Sequence, residues 1–207
     1  MKIIKHEAGP IGTNMYICYD ENNVGFIVDP GEYNNSLSQR IKSLNLDIKY
    51  IILTHGHADH IGGVNGFVLD YPEAKIIAHE LAEEMLLSSE QNGSTEMYGY
   101  PIVVEADSFV KDGDELKCGE LEMKFLHTPG HTIGDMGILL DGVLFSGDTI
   151  FANSVGRTDF PGGSFETIIE SIKTKIYTLD ENTVIYPGHM GLTTVKDEKR
   201  GNPFVRA

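Results

Sequence analysis

The chain has 207 residues, 41% of them apolar and 23% charged, and its 31 acidic against 16 basic side chains leave a net charge of −15. That usage belongs to a globular protein long enough to bury a core without disulfide or metal staples, and it is read as one domain over residues 1–207. The acidic excess argues against a nucleic-acid partner, which needs a basic track to displace phosphate counterions. Lys196, Lys199, Arg200 and Arg206 are interrupted by Asp197 and Glu198, so this end reads as a solvated, mixed-charge tail. The start, Met1 to Glu7, has no apolar stretch of signal-peptide length, and no later run could span a membrane. The expected compartment is the cytosol. Cys18 and Cys118 lie in separate strand-like runs with no zinc or redox spacing and are expected to be reduced sheet residues.

Taken in order, Thr13 to Tyr19 and Val24 to Asp29 read as a hairpin across Asp20-Glu21-Asn22-Asn23. Leu37, Ile41 and Leu44 recur at helical spacing, and a strand from Lys49 to Leu53 follows. A helix from about Ile61 to Leu69, a strand over Ala74–Ala78 and a helix around Glu80–Ser88 complete the first half. The polar, Gly-containing stretch Glu90–Tyr100 reads as a loop. In the second half the strands are Ser108–Val110, Glu115–Lys117, Leu121–His127, Gly137–Leu140 and Val143–Phe145. The last two flank Asp141-Gly142, a dipeptide that favours a type I′ turn because both central residues take positive φ. Phe165, Ile168, Ile169, Ile172 and Ile176 mark an amphipathic helix before a last strand, Thr183–Tyr186. Helices following strands in both halves suggest two sheets packed face to face with helices outside.

Seven metal-competent side chains, His55, His57, Asp59, His60, His131, Asp148 and His189, occur at four places, each just past an apolar, strand-like run. Four of them fall within six residues, in Thr54-His55-Gly56-His57-Ala58-Asp59-His60. One closed zinc site takes four ligands, so seven exceed what one ion needs. His55 and His57 can point to one metal, while Asp59 and His60, at the start of the following helix, can point to a second. His6, His79 and His127 are left outside the site. His79-Glu80 opens like a zinc-protease motif, but position 83 is Glu rather than His.

With Thr54–His60, the segments Thr128-Pro129-Gly130-His131-Thr132, Ser146-Gly147-Asp148-Thr149 and Tyr186-Pro187-Gly188-His189 give the chain a close resemblance to the metallo-β-lactamase-fold hydrolases, and among them to the small glyoxalase-II-like (hydroxyacylglutathione hydrolase-like) proteins. Val28-Asp29-Pro30-Gly31 and Asn202-Pro203-Phe204-Val205-Arg206 extend the match toward both ends. The resemblance implies an α/β (α+β) fold, a four-layer αββα sandwich. It also implies a first metal on His55, His57 and His131, a second on Asp59, His60 and His189, and Asp148 bridging the two. The ligand chemistry suits Zn²⁺ first, with Fe or Mn²⁺ as alternatives. Bound Zn²⁺ lowers the pKa of water from ~15.7 to about 7 and so supplies hydroxide at neutral pH, which Asp59 would orient. A thiolate, with pKa near ~8.5, departs without a separate acid, so the expected activity is hydrolysis of a small-molecule thioester by a binuclear metal centre.

Val155-Gly156-Arg157-Thr158-Asp159-Phe160 resembles the loop that carries a basic residue facing the glutathione carboxylate in glyoxalase II enzymes. Arg157 matches that position, and it could equally pair with Asp159 or a backbone carbonyl. The chain ends at Ala207, without the C-terminal helical extension of full-length glyoxalase II, and has Met190 and Gly191 where an aromatic residue is usual. The thiol is therefore open. The alternatives are an iron-dependent persulfide dioxygenase of the same fold, with one Fe on His55, His131 and Asp148, and a lactonase-type hydrolase.

Overall fold

The computed structural model describes residues 1–206. Strands β1 (Lys2–Ala8), β2 (Thr13–Tyr19) and β3 (Val24–Val28) form an antiparallel meander. Helix α1 (Asn35–Ser43) then carries the chain to β4 (Asp47–Ile52), parallel to β3. Helices α2 (Ala58–Ile61) and α3 (Val64–Asp70) lead to β5 (Lys75–His79), and α4 (Glu83–Leu87) and α5 (Ser94–Tyr98) lead to β6 (Ser108–Val110). These six strands make one sheet in sequential order. In the second sheet β7 (Glu115–Cys118), β8 (Leu121–His127), β9 (Met136–Leu140) and β10 (Val143–Gly147) are antiparallel neighbours. A ribbon of β11 (Ile150–Phe151) and β12 (Ser154–Val155) precedes α6 (Phe165–Ser171). Strand β13 (Val184–Pro187) returns parallel to β10, and β14 (Thr193–Thr194) pairs with it before α7 (Val195–Gly201).

Three buried clusters define the layers. Tyr16, Phe26, Val28, Ile52 and Ile77 of the first sheet meet Met123, Phe125, Met136, Ile138 and Phe145 of the second. The opposite face of the first sheet, with Met15, Ile17, Ile27 and Ile51, packs on Leu37, Ile41, Val64 and Phe67 from helices. Leu126, Leu144 and Ile185 pack on Ile168, Ile172, Ile176 and Val195 on the far side of the second. Both faces of each sheet are thus covered, which explains why a central strand such as β2 is buried on both faces rather than alternating. The outcome is the expected αββα order of layers.

Strand direction places the chemistry. Strands β8 and β10 each run antiparallel to β9, and β13 runs parallel to β10, so β8, β10 and β13 point the same way. The ends of β4, β8, β10 and β13 each feed one of the four ligand-bearing loops.

The structure departs from the sequence reading in several places. Residues 2–8 form an edge strand, β1, although Lys2, Lys5 and Glu7 make them polar. Such charges are usual on an edge exposed to water. The helix expected over 61–69 is two helices, divided at Gly62-Gly63, where Gly63 N–H donates to Pro30 O at 2.6 Å. The helix expected over 80–88 opens as a 3₁₀ turn, Glu80–Ala82, before α4. The stretch read as a loop contains α5. Buried Asn92 organises it, accepting from Ser94 N–H at 2.9 Å and donating to Ile102 O at 2.8 Å. Long-range partners of this kind are invisible to local composition. After α6 the helix widens into a π turn, Ile172–Ile176, with Tyr177 N–H bonded to Ile172 O. Asp141 (φ 48°) and Gly142 (φ 74°) do adopt the left-handed pair that the type I′ turn requires.

The expectation of a solvated tail holds for Asp197, Arg200 and Arg206, which are exposed, but not for Glu198. Glu198 on α7 is buried and accepts from Asn153 N–H (2.9 Å), Asn202 Nδ2 (2.8 Å) and Thr193 Oγ1 (2.6 Å). Charge counting treated it as a surface carboxylate, whereas it pins the end of the chain to the ribbon turn. Glu198→Ala should therefore destabilise the protein by about 2 kcal/mol or more in urea unfolding, since it leaves buried donors unpaired. Lys199→Ala, which removes a surface pair to Glu181, should stay within about 0.5 kcal/mol of the parent.

Candidate metal centre

The turn after β4 is set by hydrogen bonds rather than by helix propensity. Thr54 N–H donates to Asp29 Oδ1 at 2.7 Å and the Thr54 hydroxyl donates to Asp29 Oδ2 at 2.6 Å. His57 occupies the N-cap of α2, which places Asp59 and His60 in its first turn. On the second sheet, Asp135 Oδ2 accepts from His131 N–H (2.9 Å) and Thr132 N–H (2.6 Å), closing the loop that presents His131. A register shift between Phe145 and Gly147 in the β10–β13 pairing turns the chain just before Asp148. Gly188 is required beside it, because a Cβ there would meet Asp148 Oδ1 at 2.2 Å and His60 Cε1 at 2.7 Å.

All seven residues singled out from the sequence come together. Their donor atoms fall into three overlapping sets, each within 4.8 Å: His55, His57 and His131; His55, His60 and Asp148; Asp59, His60 and His189. Asp148 reaches toward both outer sets. Its Oδ1 lies 3.4 Å from His60 Nε2, and its Oδ2 lies 3.7 Å from His131 Nε2 and 3.5 Å from His189 Nε2. Asp59 Oδ2 is 3.3 Å from His60 Nε2 and 3.2 Å from His189 Nε2, and it also accepts from the Thr13 hydroxyl at 2.7 Å.

The electrostatics fit cations. Burial, then the neighbouring histidines, pushes the His55 imidazolium well below its ordinary range, and burial with His131 beside it lowers His57 to about 4. Both are neutral near pH 7, the form that can bind a metal. Burial would also push His60 down, but Asp59, Asp148 and Asp29 outweigh it and hold His60 well above its usual value. Burial would raise Asp59, and the opposing charge of His60 with the His189 hydrogen bond holds it low instead. This concentration of carboxylate favours positive charge at its centre. Buried His55 Nε2, His60 Nε2 and Asp148 Oδ1 have no hydrogen-bond partner. Unpaired buried groups cost roughly 1–3 kcal/mol each, and shared cations would remove that cost.

His131 Nδ1 donates to the Arg157 carbonyl at 2.7 Å, and its Nε2 faces His57 Nδ1 at 2.9 Å. The Arg157 side chain is exposed and forked onto Asp159 (2.9 and 2.8 Å), with its guanidinium 4.2 Å from the Phe160 ring centre. Phe160 in turn meets His57 edge-on at 5.3 Å between centroids. His79 and His127, left outside the site, stack on each other at 4.1 Å, one from each sheet. Cys18 and Cys118 are buried and unpaired. Reading the sequence missed Thr13 and Asp135 as supports of the site. An Asp or Thr near a ligand has no local signature until the fold brings its oxygen within reach.

The Metallo-beta-lactamase superfamily profile matches residues 8–189. Among curated proteins, the chain is 35% identical to the hydroxyacylglutathione hydrolase GloC of Haemophilus influenzae, covering 94% of this chain and 93% of that one. Among solved structures it resembles BLEG-1, a B3 metallo-beta-lactamase, with a TM-score of 0.93 and 34% identity over the whole of both chains. It also resembles TTHA1623 in a di-iron-bound form, with a TM-score of 0.86 and 28% identity over 98% of this chain and all of that one. With the two-sheet fold and the His/Asp cluster at the strand ends, this match makes the chain a member of the metallo-beta-lactamase superfamily of metal-dependent hydrolases.

Proposed function

We propose that the protein is a binuclear, metal-dependent thioesterase of the glyoxalase-II type, acting on S-acyl thiols. The observation that carries this reading is the gathering of seven donor side chains into three overlapping sets, with Asp148 reaching toward both outer ones. His55, His57 and His131 would hold one ion, and Asp59, His60 and His189 the other. Zn²⁺ suits these borderline ligands, and iron or Mn²⁺ would fit them too; the di-iron form of TTHA1623 supports the iron option. Two divalent ions supply hydroxide at neutral pH and polarise the carbonyl under attack.

The remaining steps fall to this chain's own residues. Asp59, held by Thr13, would orient the nucleophile. Thr13, Thr54 and Phe160, which touch the ligands, are not acids that could protonate an amine leaving group. A thiolate needs none, because its pKa is near ~8.5. The relation to a hydroxyacylglutathione hydrolase points to the same class of bond. Arg157 is the proposed receptor for a substrate carboxylate. An exposed pair such as Arg157–Asp159 is worth only about 0–1 kcal/mol, so an incoming anion can take the guanidinium over.

The deciding experiment is metal analysis of protein purified without added metal, paired with hydrolysis of an acyl-glutathione and oxygen uptake with glutathione persulfide. Close to two metals per chain and thioester hydrolysis are expected. A single tightly held iron with oxygen uptake and no hydrolysis would instead establish the dioxygenase.

Asp59→Ala should lower kcat by about 100-fold or more while moving KM little, as expected of a group that acts in the transition state. Steady-state kinetics with an unchanged kcat would remove Asp59 from the mechanism.

Arg157→Ala should raise KM for an acyl-glutathione about tenfold or more, from the loss of a charge-assisted contact, with kcat and a small uncharged thioester barely affected. Equal losses on both substrates together with a lower Tm would show that Arg157 only braces its loop against Asp159 and Phe160.

A further inference from the structure

We infer that the segment from Glu90 to Tyr98 is a strap that fixes helix α2, and that Asn92 and Tyr98 are positioning residues for the donor set of Asp59, His60 and His189. The inference rests on the two-metal part of the reading above and is independent of the substrate.

Helix α2 is a single turn, Ala58–Ile61, and it carries Asp59 and His60. One turn fixes several backbone dihedrals for a single hydrogen bond and does not hold itself together in water. Its N-cap, His57, makes no side-chain capping bond, so the first N–H groups need acceptors from elsewhere. Ala58 is fully buried, and its N–H donates to the carbonyl of Asn92 at 2.9 Å. At the other end of the turn Gly31, Asp59 and Gly62 press together. A Cβ on Gly31 would collide with the Asp59 carbonyl oxygen, and one on Gly62 with the Gly31 carbonyl oxygen. The Tyr98 hydroxyl donates to that same Gly31 carbonyl at 3.2 Å and would lie 3.2 Å from a Cβ on Gly62. The segment therefore holds α2 at both ends.

The strap is itself anchored. Asn92 N–H donates to Ser88 O at 2.9 Å, its Oδ1 accepts from Ser94 N–H at 2.9 Å and its Nδ2 donates to Ile102 O at 2.8 Å. The Ser94 hydroxyl oxygen accepts from Ile102 N–H at 2.9 Å. Both polar atoms of the buried Asn92 side chain are thus engaged within residues 92–102, and its backbone carbonyl is held where Ala58 needs an acceptor. The segment supplies none of the seven donors. Asp59 and His60 ride on the strapped turn, whereas His55 precedes it and His131 comes from a loop of the second sheet. A change in the turn therefore falls on the set of Asp59, His60 and His189. Donors whose supports hold them in place bind a metal more tightly, because they need not be reorganised on binding.

The test uses the full chain, stripped with a chelator, and reads amide hydrogen exchange along the sequence. Titration with Zn²⁺ against a chromophoric competitor and Co²⁺ absorption then report on the ions. Tyr98→Phe keeps the ring and removes only the hydroxyl. It should speed exchange at residues 58–62 about three- to tenfold, the worth of one hydrogen bond, with the amides of β2 and β4 unchanged. It should also weaken one Zn²⁺ ion by a similar factor, leave the other at wild-type affinity and alter only part of the Co²⁺ spectrum. Asn92→Ala should act in the same pattern more strongly, by ~10–100-fold in affinity for that ion. Tyr100→Phe, at an exposed neighbour, should match wild type. If Asn92→Ala fails to fold, as judged by the Tm of stripped protein, Tyr98→Phe compared with Tyr100→Phe carries the test alone. The inference is overturned if Tyr98→Phe exchanges and binds both ions as wild type does, if its exchange rises across both sheets, or if both ions weaken alike. A wild-type chain that takes up a single ion overturns the two-metal reading and this inference together. That outcome is distinct from failure of the inference alone, in which wild type binds two ions and the Tyr98 and Asn92 variants match it.

Discussion

The candidate site depends on the shared direction of three strands in the second sheet and on the packing of that sheet against β4 of the first. Strands β8, β10 and β13 run the same way because two antiparallel steps and one parallel step separate them. Their ends deliver His131, Asp148 and His189, while β4 delivers the remaining four candidate donors. The apolar cluster between the sheets, with Phe26, Ile52, Phe125 and Phe145 at its centre, sets the spacing at which those loops meet. Close-packed interiors yield little to local strain, so donor atoms from separate loops can be held within 4.8 Å of one another.

The two ligand sets differ in charge. His55, His57 and His131 are imidazoles, and burial keeps the first two neutral. The other set mixes imidazole with carboxylate, and Asp29 adds a further negative charge behind His60. Such an arrangement would favour a cation at the second set electrostatically, whereas the first set offers neutral imidazole donors. The overall charge of −15 contributes no attraction for an anionic substrate. The one cation beside the cluster that the sequence singled out, Arg157, is engaged with Asp159.

Supports around the ligands come from residues distant in sequence. Thr13 reaches Asp59 across 46 positions and Asp29 reaches His60 across 31. The Thr54 carbonyl accepts from Met136 N–H and so ties the metal loop of the first sheet to the strand following the His131 loop of the second. Each of these bonds spends a donor or acceptor that would otherwise be buried unpaired. The same groups that orient the ligands therefore also satisfy the backbone at the strand ends.

That the seven candidate donors gather in space was foreshadowed in the sequence because metal chemistry restricts residue type and because four of them crowd into six positions, from His55 to His60. The principal strands were legible as well, since strands covered on both faces carry unbroken apolar runs, as Met15 to Cys18 do in β2. Elements built from polar residues were not. Strand β1 exists because β2 offers a free edge, α5 because Asn92 finds Ile102, and α7 because Glu198 finds Asn153, Thr193 and Asn202. Composition determined that seven metal-competent groups sit at strand ends. Only the tertiary structure decided which nitrogen of each histidine faces inward and which carboxylates stand behind them, because a hydrogen bond depends on distance and direction in space and leaves no trace in sequence spacing.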